Sequence, residues 1–433
     1  MKKGLLIGGI ALLLAGSAAA VFAFAQNEKT ARIREILNGN GGSVSISEVN
    51  WMDMTGDGEI KLGDLMLAKL EALLHKGEPT AFFPAKDAKQ LGRTAYHEDT
   101  GTLWCSLSCS GIEFDVTGKE CTIELTADSA YSSGETNAVR YAVYADEKLF
   151  SDKQLLDKSE LIIIPVAENG SHIRIVKLSE SQNSSFGIRS VKVTGDKTEN
   201  ISFKAAANKS RLIEFVGDSI TCGYGVDGEY GTADFKTATE DASKAYAYLT
   251  AQKLDVDYSL VSYSGYGILS GYTGNGKINR SQLVPKYYDV IGHCSARLED
   301  DRLIQDDSWD FARQPDLVVI NLGTNDASYT QSDSNLQKQF TESYVKFLKK
   351  IRKKNPDAPI LCTLGTMGDT LCGAVDAAAE AYQAETGDTK IRTMWFPVQS
   401  DEDGLGVHWH PSAKTHEKAA EQLAGFIREW LNW

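Results

Sequence analysis

The sequence predicts a multidomain protein, in which a small α-helical module and a β-sandwich domain precede a C-terminal α/β domain. Three observations predict this organisation. The chain has 433 residues, which exceeds one ordinary domain. Between residues 82 and 201, short strand-like runs recur, often alternating apolar with polar side chains, without a helical period. From residue 209 onward, apolar runs alternate with helical patterns, which is typical of a three-layer domain with a parallel sheet between helices.

The first 25 residues have the pattern of a targeting segment. Lys2 and Lys3 precede an apolar stretch that ends at Ala25, and small residues stand where a signal peptidase cleaves. The stretch is also long enough to span a bilayer uncut. We therefore expect residues 1–25 to be a signal peptide or a membrane anchor. The protein is then secreted and extracellular, or held at the cell surface.

Residues 27–77 predict a small helical module with a calcium loop. A short amphipathic helix over 28–37 precedes the segment DMTGDGEIKLGD at 53–64, and a second helix follows it. Calcium loops place oxygen ligands at fixed positions around a glycine at position six. Those ligand positions hold Asp53, Thr55, Asp57, the Glu59 carbonyl and Asp64, with a water at Lys61 and the turn at Gly58. The segment thus predicts a structural calcium ion.

This module resembles a dockerin, which docks secreted plant-wall enzymes onto cohesin domains. Dockerins carry two such loops, whereas one full ligand set stands here. Thr55 also occupies a position where asparagine is usual, and Lys61 puts a positive charge beside the ion, so both weaken calcium affinity. The resemblance implies a cohesin domain as a candidate partner. The alternative is a remnant that folds as a helix pair and binds nothing.

Residues 80–205 predict a β-sandwich with a jelly-roll-like arrangement. The strand-like runs are TLWCSL, IEFDV, CTIEL, VRYAVYA, LIIIPV, HIRIVKL and IRSVKVTG. Such a domain either binds sugar or serves as a structural companion. Cys105, Cys109 and Cys121 cluster here, either with one pair bridged or as buried free thiols. No histidine stands near them at zinc-ligand spacing, so a zinc site is excluded.

Residues 206–433 predict the α/β domain. Its strand candidates are LIEFVG, YSLVSYS, LVVINLG, APILCTLG and IRTMWFPV. Its helix candidates are DASKAYAYLTAQKL, NLQKQFTESYVKFLKKIRKK, AVDAAAEAYQAET and SAKTHEKAAEQLAGFIREWL. Ligands of parallel sheets bind at the carboxyl ends of the strands. The residues directly after each apolar run are therefore the candidates for a site.

Four of these positions form a consistent catalytic set. Ser219, Gly267 and Asn325 follow three of the apolar runs, and His410 precedes the last helix. A serine nucleophile needs a base for its proton and donors for the oxyanion of a tetrahedral intermediate. The set predicts Ser219 as nucleophile and His410 as base. The N–H groups of Ser219 and Gly267 and the Asn325 amide are the predicted oxyanion donors.

The segments GDSIT, GYG, GTND and HP around these residues resemble the four blocks of SGNH (GDSL-type) hydrolases. A β-sandwich followed by such a domain with WHPS resembles carbohydrate esterase family two, as do the stretches RYAVYADEK, IRIVKL and EFVGDSITCGYG. Members remove O-acetyl groups from xylan, mannan and related polysaccharides. The resemblance implies an acetylxylan esterase-like enzyme that forms an acyl-enzyme, needs no cofactor for catalysis and acts on acetylated polysaccharide. Trp409 and Tyr266 are the predicted substrate-binding aromatics.

One position departs from the SGNH pattern. Most of these enzymes have an aspartate three residues before the catalytic histidine, but Val407 stands there in this chain. Asp401 and Asp403 lie further back. Either Asp403 swings in, or a backbone carbonyl accepts a hydrogen bond from His410. The resemblance to the carbohydrate esterase family implies that a serine–histidine dyad suffices, so no catalytic aspartate is assigned.

Net charge and motif content narrow the functions further. The formal charge of −14 argues against nucleic acid as a partner. Two alternatives to the polysaccharide esterase remain. One is a non-catalytic carbohydrate-binding or scaffold protein, against which the intact serine, glycine, asparagine and histidine argue. The other is a lipase, thioesterase or bacterial-wall esterase of the same fold, and the lack of a long apolar lid segment counts against a lipase.

Overall fold

The computed structural model describes residues 78–231 and 234–433. The leader over 1–25 and the module over 27–77 lie outside these residues, so the signal, the dockerin resemblance and the calcium site remain predictions. The calcium ligands concerned are Asp53, Thr55, Asp57, Glu59 and Asp64. Within the described part of the chain, no helix combines the length and the apolar character that a bilayer crossing requires.

Two antiparallel sheets form the N-terminal domain, which confirms the predicted β-rich domain. One sheet has the order β3-β4-β11-β6-β9 with β1 beside β11, and the other has the order β12-β5-β10-β7-β8 with β2 beside β5. The strands are β1 Thr80–Pro84, β2 Lys89–Leu91, β3 Thr94–His97, β4 Thr102–Cys105, β5 Gly111–Thr117, β6 Glu120–Ala127, β7 Arg140–Ala145, β8 Lys148–Gln154, β9 Ser159–Pro165, β10 Ser171–Lys177, β11 Phe186–Thr194 and β12 Ser202–Ala205.

The core of this domain lies between the two sheets. Phe114 and Ile175 come from one sheet and Ile123 and Phe186 from the other, and all are buried in one cluster. Strand side chains alternate between faces, so alternate residues of each run reach this core. The clustered cysteines of the domain are buried free thiols, so the disulfide alternative is not met.

The C-terminal domain is a parallel sheet in the order β14-β13-β15-β16-β17. Its strands are β13 Leu212–Gly217, β14 Asp257–Ser262, β15 Leu317–Asn321, β16 Ile360–Leu364 and β17 Ile391–Trp395. Its helices are α1 Ser219–Cys222, α2 Tyr246–Leu254, α3 Val284–Tyr287, α4 Thr324–Thr330, α5 Ser334–Lys354, α6 Cys372–Thr386 and α7 Ala413–Leu431.

Helices cover both faces of this sheet. Phe340 and Tyr344 of α5 pack in one buried cluster, and Tyr246 of α2 and Leu423 of α7 pack in another. The strands are nearly continuously buried because neither face meets water. Ser412 caps the start of α7 by accepting the Thr415 N–H at 3.3 Å, so the chain just before that helix has a defined position. The predicted α/β domain with its three layers is confirmed.

A buried arginine joins the two domains. Arg93, between β2 and β3, donates from Nη2 to Glu214 Oε2 of β13 at 2.9 Å. Its Nη1 donates to the Tyr288 carbonyl at 2.5 Å. The guanidinium carbon lies 5.0 Å from the centroid of the Phe311 ring and 5.5 Å from that of Trp309. Because a buried charge needs both partners and close packing, this side chain fixes how the domains meet.

A second cross-domain contact uses a histidine held between two carboxylates. His97 of β3 places Nδ1 2.8 Å from Asp300 and Nε2 2.8 Å from Asp307. Hydrogen bonding and charge from Asp307 raise the pKa of His97, although its burial acts in the opposite direction. The imidazole thus links the sandwich to the loop between β14 and β15.

Arg93→Ala should destabilise the whole protein, because Glu214 keeps a buried charge without its partner. We expect a loss of about 3–5 kcal/mol in the free energy of unfolding. Denaturant unfolding followed by circular dichroism measures it. The control is Arg297→Ala, which removes a more exposed arginine paired with Asp301. Equal effects of the two substitutions would contradict the assigned role of Arg93.

Candidate active site

A tight turn at the end of β13 presents Ser219. Asp218 has an extended backbone, and its Oδ1 accepts the Ile220 N–H at 3.1 Å, which caps α1. Gly217 is required directly before it, since a Cβ there would lie 2.0 Å from Thr221 Oγ1. Ser219 is the first residue of the helix, so its N–H has no intrahelical acceptor. The turn thus places a hydroxyl and an N–H without an intrahelical acceptor at the carboxyl edge of the sheet.

His410 lies within hydrogen-bond distance of this serine. Its Nε2 is 2.8 Å from Ser219 Oγ. Its Nδ1 is 3.1 Å from the Val407 carbonyl oxygen and 3.2 Å from that of His408. Carbonyl oxygens only accept, so Nδ1 carries the proton and Nε2 has the free lone pair. This tautomer is the one that accepts a proton from serine.

The backbone carbonyls occupy the place that a carboxylate takes in most SGNH enzymes. Asp403 faces away from the histidine and pairs with Lys418 at 2.6 Å and with Lys414 at 2.8 Å. These two lysines lower the pKa of Asp403. Of the two sequence-based alternatives, the structure contains the carbonyl acceptor and not an inward Asp403.

The segment that supplies these carbonyls has a constrained backbone. His408 has φ 50° and ψ 41°, and Trp409 has φ 66°, so both occupy the left-handed region that non-glycine residues rarely adopt. Two contacts stabilise this conformation. The Val407 N–H donates to the Gly225 carbonyl at 3.0 Å, and the Tyr224 hydroxyl lies 2.9 Å from His408 Nδ1.

Aromatic packing also holds the imidazole of His410. The Tyr224 ring centroid lies 4.3 Å from that of His410. Phe235 stacks on the Tyr224 ring, with a distance of 4.0 Å between the two ring centroids. Desolvation lowers the pKa of His410 to about 4, against the effect of the two carbonyl acceptors. The imidazole is therefore neutral at physiological pH.

Asn325 connects the ends of three strands. It is the second residue of α4, which follows β15. Its Nδ2 donates to the Tyr266 carbonyl at 2.9 Å, on the loop after β14, and more weakly to Asp218 Oδ2 at 3.3 Å. The amide therefore lies beside the turn that carries Ser219.

The structure corrects the prediction for Gly267. Its N–H donates to the Gln282 carbonyl at 3.1 Å, so this group does not face the serine. A Cβ at Gly267 would lie 2.0 Å from the Ser270 carbonyl oxygen, which explains the glycine by close packing. Gly265 stands two residues earlier with φ 80°, and its N–H donates to no described residue. In the segment GYG, the spacing of the two glycines did not reveal which N–H is free.

Asp326 is a site residue that the sequence did not single out. Its carboxylate accepts the N–H groups of Ile268, Leu269 and Ser270 at distances between 2.7 and 3.1 Å. Burial raises the pKa of this carboxyl to about 6. It fixes the loop after Gly265. The sequence feature that could have indicated Asp326 is its position in the segment GTND, directly after Asn325.

The predicted substrate-binding aromatics have different environments. Trp409 is 42% exposed and directly precedes His410. Tyr266 is 4% exposed and packs against Tyr263 and Tyr287, so it does not offer an open face, contrary to the prediction. Tyr272 was missed. It is 61% exposed, and its N–H donates to the Gly265 carbonyl at 2.8 Å.

Family comparisons agree with this architecture. Residues 213–423 match the GDSL-like lipase/acylhydrolase family, and residues 90–200 match the N-terminal domain of carbohydrate esterase 2. The resemblance to SGNH hydrolases and to carbohydrate esterase family two is therefore confirmed. The dockerin part of the resemblance is not covered by these matches.

Two bacterial relatives are similar in sequence. The cellulase/esterase CelE of Acetivibrio thermocellus is 28% identical over 349 residues, which is 79% of this chain and 39% of that protein. An acetylxylan esterase / glucomannan deacetylase of Cellvibrio japonicus is 28% identical over 268 residues, 61% of this chain and 69% of that protein. The chain thus aligns with well under half of the first relative.

Solved structures share the fold. An acetyl xylan esterase from the rumen bacterium Butyrivibrio proteoclasticus has a TM-score of 0.72 at 25% identity, covering 82% of this chain and 99% of that one. A family two carbohydrate esterase from Clostridium thermocellum, in complex with cellohexaose, has a TM-score of 0.67 at 25% identity and covers 82% and 100% of the two chains.

Asp403→Asn should leave ester hydrolysis nearly unchanged, because no contact joins this carboxylate to His410. A third member of a catalytic triad behaves differently, since its replacement by the amide lowers kcat about 10⁴-fold. The comparison of kcat for the two proteins on a soluble acetate ester measures the difference. A loss of that size would identify an inward Asp403.

The pH profile of kcat/KM should have its acid limb well below the usual range for histidine. His410 must be neutral to accept a proton, and desolvation lowers its pKa to about 4. Activity is then retained as the pH falls through 6.5 and is lost only as it approaches the lowered pKa. Initial rates at low substrate concentration from pH 3 to 8 test this expectation. An acid limb centred at 6.5 would exclude a desolvated imidazole as the base.

Proposed function

We propose that this protein is a serine esterase that removes O-acetyl groups from plant cell-wall polysaccharide. The premise is that the chain joins a GDSL-type hydrolase domain to a carbohydrate esterase 2 N-terminal domain. The 2.8 Å contact between Ser219 Oγ and His410 Nε2 carries this proposal. A hydroxyl beside a neutral imidazole, at a strand end that the Asn325 amide also reaches, suits acyl transfer.

In the first half-reaction, Ser219 Oγ attacks the acetyl carbonyl carbon while His410 Nε2 takes the hydroxyl proton. The Val407 and His408 carbonyls stabilise the resulting imidazolium through Nδ1–H. The tetrahedral intermediate collapses when His410 returns the proton to the departing sugar oxygen. The products are the free sugar hydroxyl and an acetyl-serine ester.

We assign three donors to the oxyanion. They are the N–H groups of Ser219 and Gly265 and the Nδ2 amide of Asn325. The amide keeps its short bond to the Tyr266 carbonyl, while its 3.3 Å contact with Asp218 is long enough to be replaced by a substrate oxygen. Water then attacks the acetyl-serine with His410 as base, which releases acetate and restores Ser219.

Exposed aromatic side chains support a polysaccharide as the substrate. Trp409 follows the carbonyl-bearing segment, and Tyr272 lies on the loop held by Gly265. Sugar rings pack on such faces, and the amphipathic rings of Trp and Tyr suit a surface that is wet on one side. A similar protein named acetylxylan esterase / glucomannan deacetylase supports acetylated xylan or mannan as the substrate, and a structural neighbour with bound cellohexaose supports an oligosaccharide-binding surface.

Two parts of the proposal rest on the sequence alone. The leader over 1–25 supports export of the protein, and the loop over 53–64 supports a structural calcium ion with a cohesin as a candidate partner. No step of the reaction above uses a cofactor.

Ser219→Ala should abolish acetate release from acetylated xylan and from a chromogenic acetate ester, with kcat reduced by about 10⁴-fold or more.

Asn325→Ala should lower kcat about 10²–10³-fold, equivalent to about 3 kcal/mol of transition-state stabilisation. Ser343→Ala on α5 serves as a matched control without a role in the site.

Two outcomes would decide against the esterase. Wild-type hydrolysis no faster than that of Ser219→Ala would favour a non-catalytic binding or scaffold protein. Faster turnover of long-chain esters than of acetate esters would favour a lipase. Acetate release from xylan compared with mannan identifies the polysaccharide.

A further inference from the structure

A segment of the β-sandwich domain binds the backbone of the loop that follows β14. Glu180 and Gln182 lie between β10 and β11. Glu180 Oε2 accepts the Ser264 N–H at 2.7 Å, and Gln182 Nε2 donates to the Ser264 carbonyl at 3.1 Å. Both polar backbone groups of one loop residue are thus held by the other domain.

The contact at the Ser264 carbonyl has a direct effect on Gly265. The Ser264 C=O and the Gly265 N–H belong to one planar trans peptide, so they point in opposite directions. A hydrogen bond that fixes the carbonyl therefore fixes the direction of the N–H. Gly265 has φ 80° and no Cβ, so without this contact its backbone has more conformational freedom than that of a residue with a side chain.

Glu180 reaches the nucleophile turn as well. Its Oε2 lies 3.7 Å from Cys222 Sγ, at the end of α1, and the same thiol lies 3.2 Å from Ser262 Oγ on β14. Its other oxygen, Oε1, accepts from Gln182 Nε2 at 3.1 Å. One carboxyl thereby touches the helix of Ser219, the loop of Gly265 and the neighbouring glutamine.

The segment that carries Glu180 and Gln182 is itself held by buried polar contacts. Glu180 and Glu240 are both 0% exposed, and the Glu180 N–H donates to Glu240 Oε2 at 2.8 Å. The buried Lys177 donates from Nζ to the carbonyls of Ser179 and Glu180, each at 2.7 Å. Burial raises the pKa of Glu180 and lowers that of Lys177. Such packing leaves the segment little freedom, which preorganised donors require.

We propose that Gln182 and Glu180 are positioning residues for the oxyanion hole, so that the β-sandwich domain is a working part of the active site. Gln182 binds the Ser264 carbonyl and so directs the Gly265 N–H through the shared peptide, and Glu180 anchors Ser264 through its N–H. This inference rests on the proposed esterase function, because the oriented group acts only on a developing oxyanion.

Gln182→Ala in the full chain is the primary test. We expect kcat on an acetate ester to fall roughly ten- to a hundredfold, as for a catalytic group displaced by about 1 Å, with KM within about twofold. Gln154→Ala is the matched control. Gln154 is also a half-buried sandwich glutamine that donates to the hydrolase domain, to Thr237 Oγ1 at 2.8 Å, but it does not touch the loop.

Glu180→Gln and Glu180→Ala form the second test. The glutamine keeps an acceptor for the Ser264 N–H and should retain most of kcat, whereas the alanine should not. Thermal unfolding of every variant separates a positioning effect from a folding defect. If Gln182→Ala and Gln154→Ala have the same kcat, the positioning role is wrong, whatever happens to Glu180→Ala.

The two proposals fail in distinguishable ways. A wild-type protein without Ser219-dependent hydrolysis overturns the esterase function, and the positioning role falls with it. A wild-type protein that depends on Ser219, together with a Gln182→Ala variant of unchanged kcat or with a change in KM alone, overturns the positioning role and leaves the esterase function intact.

Discussion

The hydrogen bond from His410 Nδ1–H to backbone carbonyls is the interaction on which the site depends. A side-chain carboxylate brings its own charge and reach, whereas a carbonyl is placed only by the chain that carries it. The left-handed backbone at His408 and Trp409 is therefore part of what positions the His410 ring. Its supports are the Gly225 carbonyl, the Tyr224 hydroxyl and the capped start of α7. Each of these fixes the imidazole indirectly.

Desolvation gives this arrangement its chemical effect. Neutral carbonyls stabilise an imidazolium less than a carboxylate does, and burial lowers the pKa of His410 further. The His410 imidazole is consequently a weak base, and it is unprotonated near neutral pH. In the proposed reaction, stabilisation of the intermediate then comes mainly from donors aimed at the oxyanion, so the orientation of single peptide groups matters.

Sequence patterns predicted the elements well and the contacts between them poorly. The apolar runs at 212–217 and 317–321 placed two strands, because buried parallel strands have a distinct composition. Ser219 and His410 were predicted by their positions at strand and helix ends. The choice between Gly265 and Gly267 was not accessible, since it depends on which N–H pairs with Gln282. The hydrogen bond between Glu180 and Ser264 joins residues 84 positions apart, so no local sequence pattern predicts it.

The insertion of Arg93 among aromatic rings of the other domain has a consequence for how the chain folds. Its bond to the Tyr288 carbonyl joins residues 195 positions apart, and such distant pairings form late and slowly. During synthesis the N-terminal domain emerges first. The hydrolase sheet is then assembled against a surface that already exists, so the sandwich acts as an intramolecular template. A hydrolase domain made alone would have to bury Glu214 and its aromatic neighbours without that template.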